Sequence, residues 1–196
     1  MKKKLGLFFF TLIFNQTIFS QQNKIDKNMD AATQKYIEAG TPNENHKKLN
    51  TMVGKWKTHI SELANPSNKD PQPIATGSAE IKWINEGRFL QITTIGKQMG
   101  LPFFSLSLLG YDNLRKKYVS FWSDNSSTTF FYSDGFIDAS GAVLTLFGKT
   151  DDPVSGAYDR HWKVIWRMIN ANKLSLEFYD MSNPEIKAFE TVFFRE

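Results

Sequence analysis

"YDRHWKVIWRMINANKLSLEFYD", residues 158–180, decides the fold. Trp162, Val164, Trp166 and Met168 recur at every second position, with His161, Lys163 and Arg167 between them. Successive side chains of a strand point to opposite faces, so this alternation marks a strand with one buried face. After "NANK" (170–173) the pattern resumes: Leu174, Leu176 and Phe178 oppose Ser175, Glu177 and Tyr179. Two alternating runs around a short turn read as an antiparallel hairpin.

The same pattern extends upstream. In "GSAEIKWI" (77–84), Ala79, Ile81 and Trp83 oppose Ser78, Glu80 and Lys82. In "LPFFSLSLLG" (101–110) and "AVLTLF" (142–147) both faces carry bulk, which suits strands covered on the outside or paired between two copies. Turn chemistry separates the runs at "NPSNKDPQP" (65–73), "NEG" (85–87), "DNLRK" (112–116), "DASG" (138–141), "DDPVSG" (151–156) and "SNPE" (182–185). From Trp56 onward about ten segments are rich in Ile, Val, Thr, Phe, Tyr and Trp. Such spacing without a helical period predicts an all-antiparallel sandwich or barrel. A meander of hairpins removes its exposed edges by closing on itself. Eight or more strands then leave room for packed side chains or for one small ligand. Aromatics make up 14% of the chain, and many fall on the inner face, where they suit a ligand wall and a filled core equally.

Two short helices precede the strands. "MDAATQKYIEAG" (29–40) has Asp30 as N-cap and Gly40 as stop. "TPNENHKKLNTMVG" (41–54) starts at Pro42 or Asn43 and shows one apolar face in Leu49, Met52 and Val53. Residues 21–40 form a polar, flexible N-terminal segment that includes the first helix, and 41–196 form the barrel domain.

Residues 1–20 read as a signal peptide. Lys2, Lys3 and Lys4 precede the ten-residue apolar run "LGLFFFTLIF" (5–14), with cleavage expected near Ser20/Gln21. That run is half of the ~20 residues a spanning helix needs. The expectation is an exported protein, periplasmic or secreted, with no transmembrane segment in the mature chain. Without those three lysines the 24 basic residues become 21, against 20 acidic ones. No basic run is left to suggest a nucleic-acid footprint. The chain has no cysteine, which excludes disulfides and thiolate metal sites.

The fragments "HKKLNTMVGKW" (46–56), "GRFL" (87–90), "GLPFFSLSLLGYDNLRKKYVSFWSDN" (100–125), "LTLFGKTDDPVSG" (144–156), "FYD" (178–180) and "ETVFFR" (190–195) carry a resemblance. A helical lead-in followed by Gly54-Lys55-Trp56 resembles the lipocalin/calycin superfamily. In order and spacing the fragments are more closely similar to an uncharacterised bacterial domain-of-unknown-function family. The resemblance implies an up-and-down lipocalin-like β-barrel of about 8–10 strands with a short N-terminal helical lead-in. It brings no known activity. It also implies a latch: Trp56 packs at the closed end of the barrel under a basic residue of the last strand, for which Arg195 is the match. Gly54 opens that first strand.

The candidates for chemistry are few. The three histidines, His46, His59 and His161, show no metal-ligand spacing, and none is expected to point inward. No metal or cofactor is expected. Arg88, Tyr111, Trp122, Asp124 and Glu190 are candidate ligand-binding residues. A buried acid facing Arg88 or Tyr111 could orient a polar head group or take a shifted pKa, and could equally fix strand register. "SDNSSTTFFYSDG" (123–135) reads as a rim loop or as one more hairpin. Ser126 and Ser127 lack a nucleophile-elbow context.

The function expected from this pattern is binding of a small apolar or amphipathic molecule. Two alternatives stay open: a hydrolase or isomerase using Asp124 or Glu190 in the cavity, and an envelope protein–protein interaction module with a filled core. The outer apolar strands could also pair two copies as a homodimer.

Overall fold

A computed structural model describes residues 30–62, 75–98, 100–152, 155–181 and 185–196. The signal segment at 1–20, the polar stretch 21–28 and the turn at 65–73 lie outside the described residues, as do parts of the turns at 151–156 and 182–185.

Helix α1 spans Ala31–Gly40. Asp30 caps it, its Oδ1 accepting from the backbone N–H groups of Ala32 and Thr33. Helix α2, Glu44–Lys47, runs into a 3-10 turn at Lys48–Met52. Asn43 starts it in a capping box: its side chain accepts from the helix backbone, and His46 Nδ1 accepts from the Asn43 N–H at 3.1 Å. A 3-10 turn brings Leu49 and Met52 onto one side, three residues apart, and both are fully buried.

Ten strands follow among the described residues: β1 Gly54–Glu62, β2 Ala75–Ile84, β3 Phe89–Gln98, β4 Leu101–Asp112, β5 Lys117–Asp124, β6 Phe131–Ile137, β7 Val143–Thr150, β8 Arg160–Asn170, β9 Lys173–Asp180 and β10 Ile186–Arg195. Each pairs antiparallel with its neighbours in sequence, and β1 pairs with β10. The result is a closed, ten-stranded, up-and-down, lipocalin-like barrel with no sheet edge.

The register confirms the alternation. Leu144 pairs with Trp166, Trp166 with Leu176, and Met168 with Leu174, all on the inner face. Two bulges interrupt it, one between Met168 and Asn170 and one between Lys187 and Phe189. The second has a chemical result. Lys187 and Glu190 are three apart, which in a regular strand would put them on opposite faces. The extra residue puts both on the outer wall, where Lys187 Nζ lies 2.9 Å from Glu190 Oε2.

The largest buried cluster lies in the half of the cylinder where β1 begins. Leu49, Met52, Trp56, Leu90, Leu144 and Leu174 are each 0% exposed. The turn at 48–52 thus plugs the end where β1 begins. Tyr118 ties the plug to the wall by donating its hydroxyl proton to the Asn45 carbonyl at 2.9 Å.

Candidate functional site

At the plugged end the first and last strands meet. Trp56 is the cross-strand partner of Arg195, whose guanidinium carbon sits 4.1 Å from the indole centroid. Arg195 Nη1 donates to Val53 O at 2.8 Å, Nη2 to Thr51 O at 3.0 Å, and Nε to Ala171 O. These carbonyls end the plug turn and the β8–β9 turn, so one side chain joins three segments. The Trp56 Nε1–H donates to Met52 O at 3.0 Å. With its face covered and its only donor used, Trp56 has nothing left to offer a ligand. Gly54 completes the latch. Its φ is +147°, and a Cβ there would lie 2.2 Å from Arg195 Nη1.

The plugged end also holds Arg88, Tyr111 and His46. Arg88 follows the "NEG" turn and pairs with Glu86. Tyr111 stands edge-on to His46 (5.8 Å) and to Tyr118 (5.0 Å). Burial, helped by the Arg88 charge, holds the His46 imidazole below its ordinary pKa. Burial and the neighbouring Tyr111 push the Tyr118 phenol up to about 12.

The far half of the interior is built differently. On β8 and β9 the inward residues beyond Trp166 and Leu174 are Val164 and Trp162, then Leu176 and Phe178. Val164, Leu176, Phe178 and Phe189 are only partly buried. An inward side chain of a closed barrel meets solvent through the lumen, so the described residues leave the lumen incompletely filled beside these four. Opposite them, Ser107 and Ser120 on β4 and β5 face inward and are partly accessible too.

Aromatic rings line this half. Trp162 stacks on Phe178 (5.6 Å, 25°), and Phe178 on Phe189 (5.0 Å, 2°), a ladder across β8, β9 and β10. Trp122 and Phe131 pair on β5 and β6 at 4.7 Å. Trp162 lies over Gly148, its cross-strand partner, where an added Cβ would come within 2.4 Å of the indole. Trp162 Nε1 and Thr58 Oγ1 are buried without a hydrogen-bond partner among the described residues. Buried polar atoms are nearly always paired, so each marks a place where a partner belongs.

At the rim of this half, Asp124 occupies an inward position and accepts from the Ser126 N–H (2.8 Å) and hydroxyl (2.6 Å). Arg160 is gripped by Asp152 and Asp180. Residues 125–129, 151–152 and 156–158 border one depression here, so the 125–130 connection is a rim loop.

Five candidate ligand residues therefore separate into three places. Trp122 and Asp124 share the far half. Arg88 and Tyr111 sit at the plug, at the other end of the strands. Glu190 is corrected: it stands on the outer wall, because Thr191, Phe193 and Arg195 take the inward phase. There Lys187 bridges Glu190 and Glu177, and Glu177 also receives Arg167 (3.1 Å). Burial raises the Glu177 carboxyl, but the Arg167 hydrogen bond and the Lys187 charge outweigh it and hold it below its ordinary value. His59 and His161 point outward and are exposed. Among the described residues no group of three His, Cys, Asp or Glu is placed to hold a metal ion.

Sequence reasoning did not single out Trp162, Phe178, Phe189 and Thr58 as site residues. Their inward phase was readable. That the described residues leave some of them partly exposed was not.

Fold and site together define a lipocalin-like β-barrel, closed at one end by the turn at 48–52 and with several described inward side chains partly exposed at the other. The chain belongs to the family described as "Protein of unknown function (DUF1579)", which matches residues 41–195. No curated protein matches it. Among solved structures it is similar to Rv2717c from M. tuberculosis, with a TM-score of 0.55 and 15% identity, over 80% of this chain and 99% of that one. At that identity the likeness shows the fold alone.

Proposed function

We propose that this protein is an exported carrier that holds a small, largely apolar molecule in the far half of its barrel. The observation that carries this is the partial exposure of Val164, Leu176, Phe178 and Phe189, all at inward positions of a closed barrel. An apolar, aromatic wall around an unfilled space is the usual form of a small-molecule site. Export rests on the charged and apolar order of residues 1–20, and places the protein in a periplasm or outside the cell. No helix among the described residues is long and apolar enough to cross a membrane.

Native mass spectrometry of the protein from its own cells tests the reading. A retained small molecule, displaced by a fluorescent apolar probe, is the expected result. A clean apo mass under gentle conditions, with no probe uptake, would sink it.

The outer wall supports a second property, self-association. Ile95 pairs with Phe104, Leu108 with Phe121, and Phe121 with Tyr132, all facing outward. Ile95 is 59% exposed, Phe104 46% and Phe121 48%. An apolar row of this kind suits an interface between two copies. Light scattering should give a dimer mass, and Phe121→Glu should give a monomer.

A further inference from the structure

We propose that the far half of the barrel selects an uncharged ring molecule that carries hydroxyl or carbonyl groups along one edge and is apolar elsewhere. This rests on the carrier reading above and narrows it to a two-sided ligand. Three observations lead to it.

The first is a division of the inner wall. The strands close in chain order, so β3, β4 and β5 lie five strands away from β8, β9 and β10, across the cylinder. The far halves of β8, β9 and β10 turn Val164, Leu176, Phe178 and Phe189 inward. The facing strands turn in hydroxyls. Thr94 pairs with Ser105, Ser120 pairs with Ser133, and Ser107 stands between the two pairs. One wall is therefore apolar and ring-bearing, and the wall across from it is a patch of small alcohols. Phe178 and Phe189, parallel at 5.0 Å, are both partly exposed. A ring laid against them gains more than its buried area.

The second is the state of the alcohols. Thr94, Ser107 and Ser120 are partly exposed at inward positions. Inward Cβ atoms of a strand point out of the pleat towards the lumen, and a serine or threonine oxygen is bonded directly to Cβ. None of these three hydroxyls makes a hydrogen bond among the described residues. A hydrocarbon seated here would take them out of water and give them no partner, which penalises it. A ligand edge bearing hydroxyl or carbonyl groups supplies the partners. A protein hydroxyl both donates and accepts, so either group suits.

The third is charge. Among the described residues, inward positions hold Asp, Glu, Lys, Arg or His only at strand ends: Glu62, Asp124, Arg160 and Asp180 at the rim, and Arg195 at the plug. The wall between those ends carries none. A charged edge against Ser107 and Ser120 would have no opposite charge at its own depth, and an unpaired charge is the costliest group to bury. The edge that meets the alcohols is therefore neutral.

Equilibrium dialysis of the intact protein against four probes of one ring skeleton tests the inference. They are naphthalene, a naphthalene diol with adjacent hydroxyls, naphthoate and naphthylmethylammonium. Mildly acidic buffer keeps the diol neutral and the last two charged. The diol should bind about tenfold more tightly than naphthalene, and the two charged probes should bind most weakly. Combining Ser107→Ala with Ser120→Ala should remove the diol's advantage and leave naphthalene binding as tightly as before. The ranking on the wild-type protein decides the matter without any variant. Naphthalene binding as well as the diol, a charged probe binding best, or equal weakening of diol and naphthalene in the double variant would overturn the two-sided site and leave the carrier reading standing. No binding of any of the four would overturn both.

Discussion

The two halves of one barrel are held by different physics. At the plugged end, Trp56, Leu49, Met52 and Leu174 pack with no solvent contact, and Arg195 joins three segments over them. In the far half, Val164, Leu176, Phe178 and Phe189 are partly exposed beside the buried Thr58, Ser105, Ser133 and Trp162. Much of the bracing there is on the outside, where Glu177 is 7% exposed on the outer wall among Arg167, Tyr179 and Lys187. A filled interior supplies stability by apolar burial. An unfilled one must find it elsewhere, and ion pairs between neighbouring strands do this without occupying the lumen.

Breaking each half in turn should give unequal costs. Trp56→Ala should destabilise most, by about 3–5 kcal/mol in urea unfolding, because it opens a cavity in a dry core. The equivalent change in the far half, Trp122→Ala, should cost only about 1–2 kcal/mol, since a partly wet ring has less transfer energy to lose. Equal costs would mean that the far half is as tightly packed as the plug. Gly54→Ala should cost about 1–3 kcal/mol, as φ of +147° strains any side chain and the Cβ displaces Arg195.

The halves should also separate by pH. His46, at the plug, has a lowered pKa, so the unfolded chain binds its proton more readily than the folded one. Its contribution is complete above the ordinary value of 6.5 and is lost as pH falls below it towards the lowered folded value. Glu177, bracing the far half, is also lowered, and its contribution is complete above 4.5 and lost at still lower pH. Melting temperature against pH should therefore fall in two stages. His46→Gln should flatten the first, and Glu177→Gln the second, at a cost near neutrality of about 1–3 kcal/mol. A single stage unaffected by either variant would remove this contrast. The smallest effect is expected at the rim: Asp124→Asn should change stability by less than about 1 kcal/mol, its partners being in an exposed turn. Loss of a measurable turnover in that variant, with the fold intact, would favour the enzyme reading over the carrier.

Much of the wall was legible in advance. The alternation at 160–168 and 173–178 placed Trp162, Val164, Trp166, Leu174 and Phe178 on the inner face, and the register agrees. The lead-in was legible too, since caps are local: Asp30 and Asn43 begin their helices by bonding residues two or three positions on. The candidate site was less so. Arg88 and Asp124 look like partners in the sequence and stand at opposite ends of the barrel. Glu190 was placed by counting inward residues back from Arg195, which needs the β1–β10 pairing. The Lys187–Glu190 ion pair needs a bulge that no spacing announces.

The sequence by itself determined that this chain is a meander of amphipathic strands with a capped helical lead-in, because period and capping are properties of neighbours a few residues apart. Only the tertiary structure decided how the cylinder is used. Whether an inward side chain meets another side chain or empty space depends on residues across the barrel, from strands far apart in the chain. That distance is why Trp56 and Trp162, two inward tryptophans of the same barrel, have different places in it: one dry and bonded at the plug, the other buried beside the lumen with its N–H unpaired.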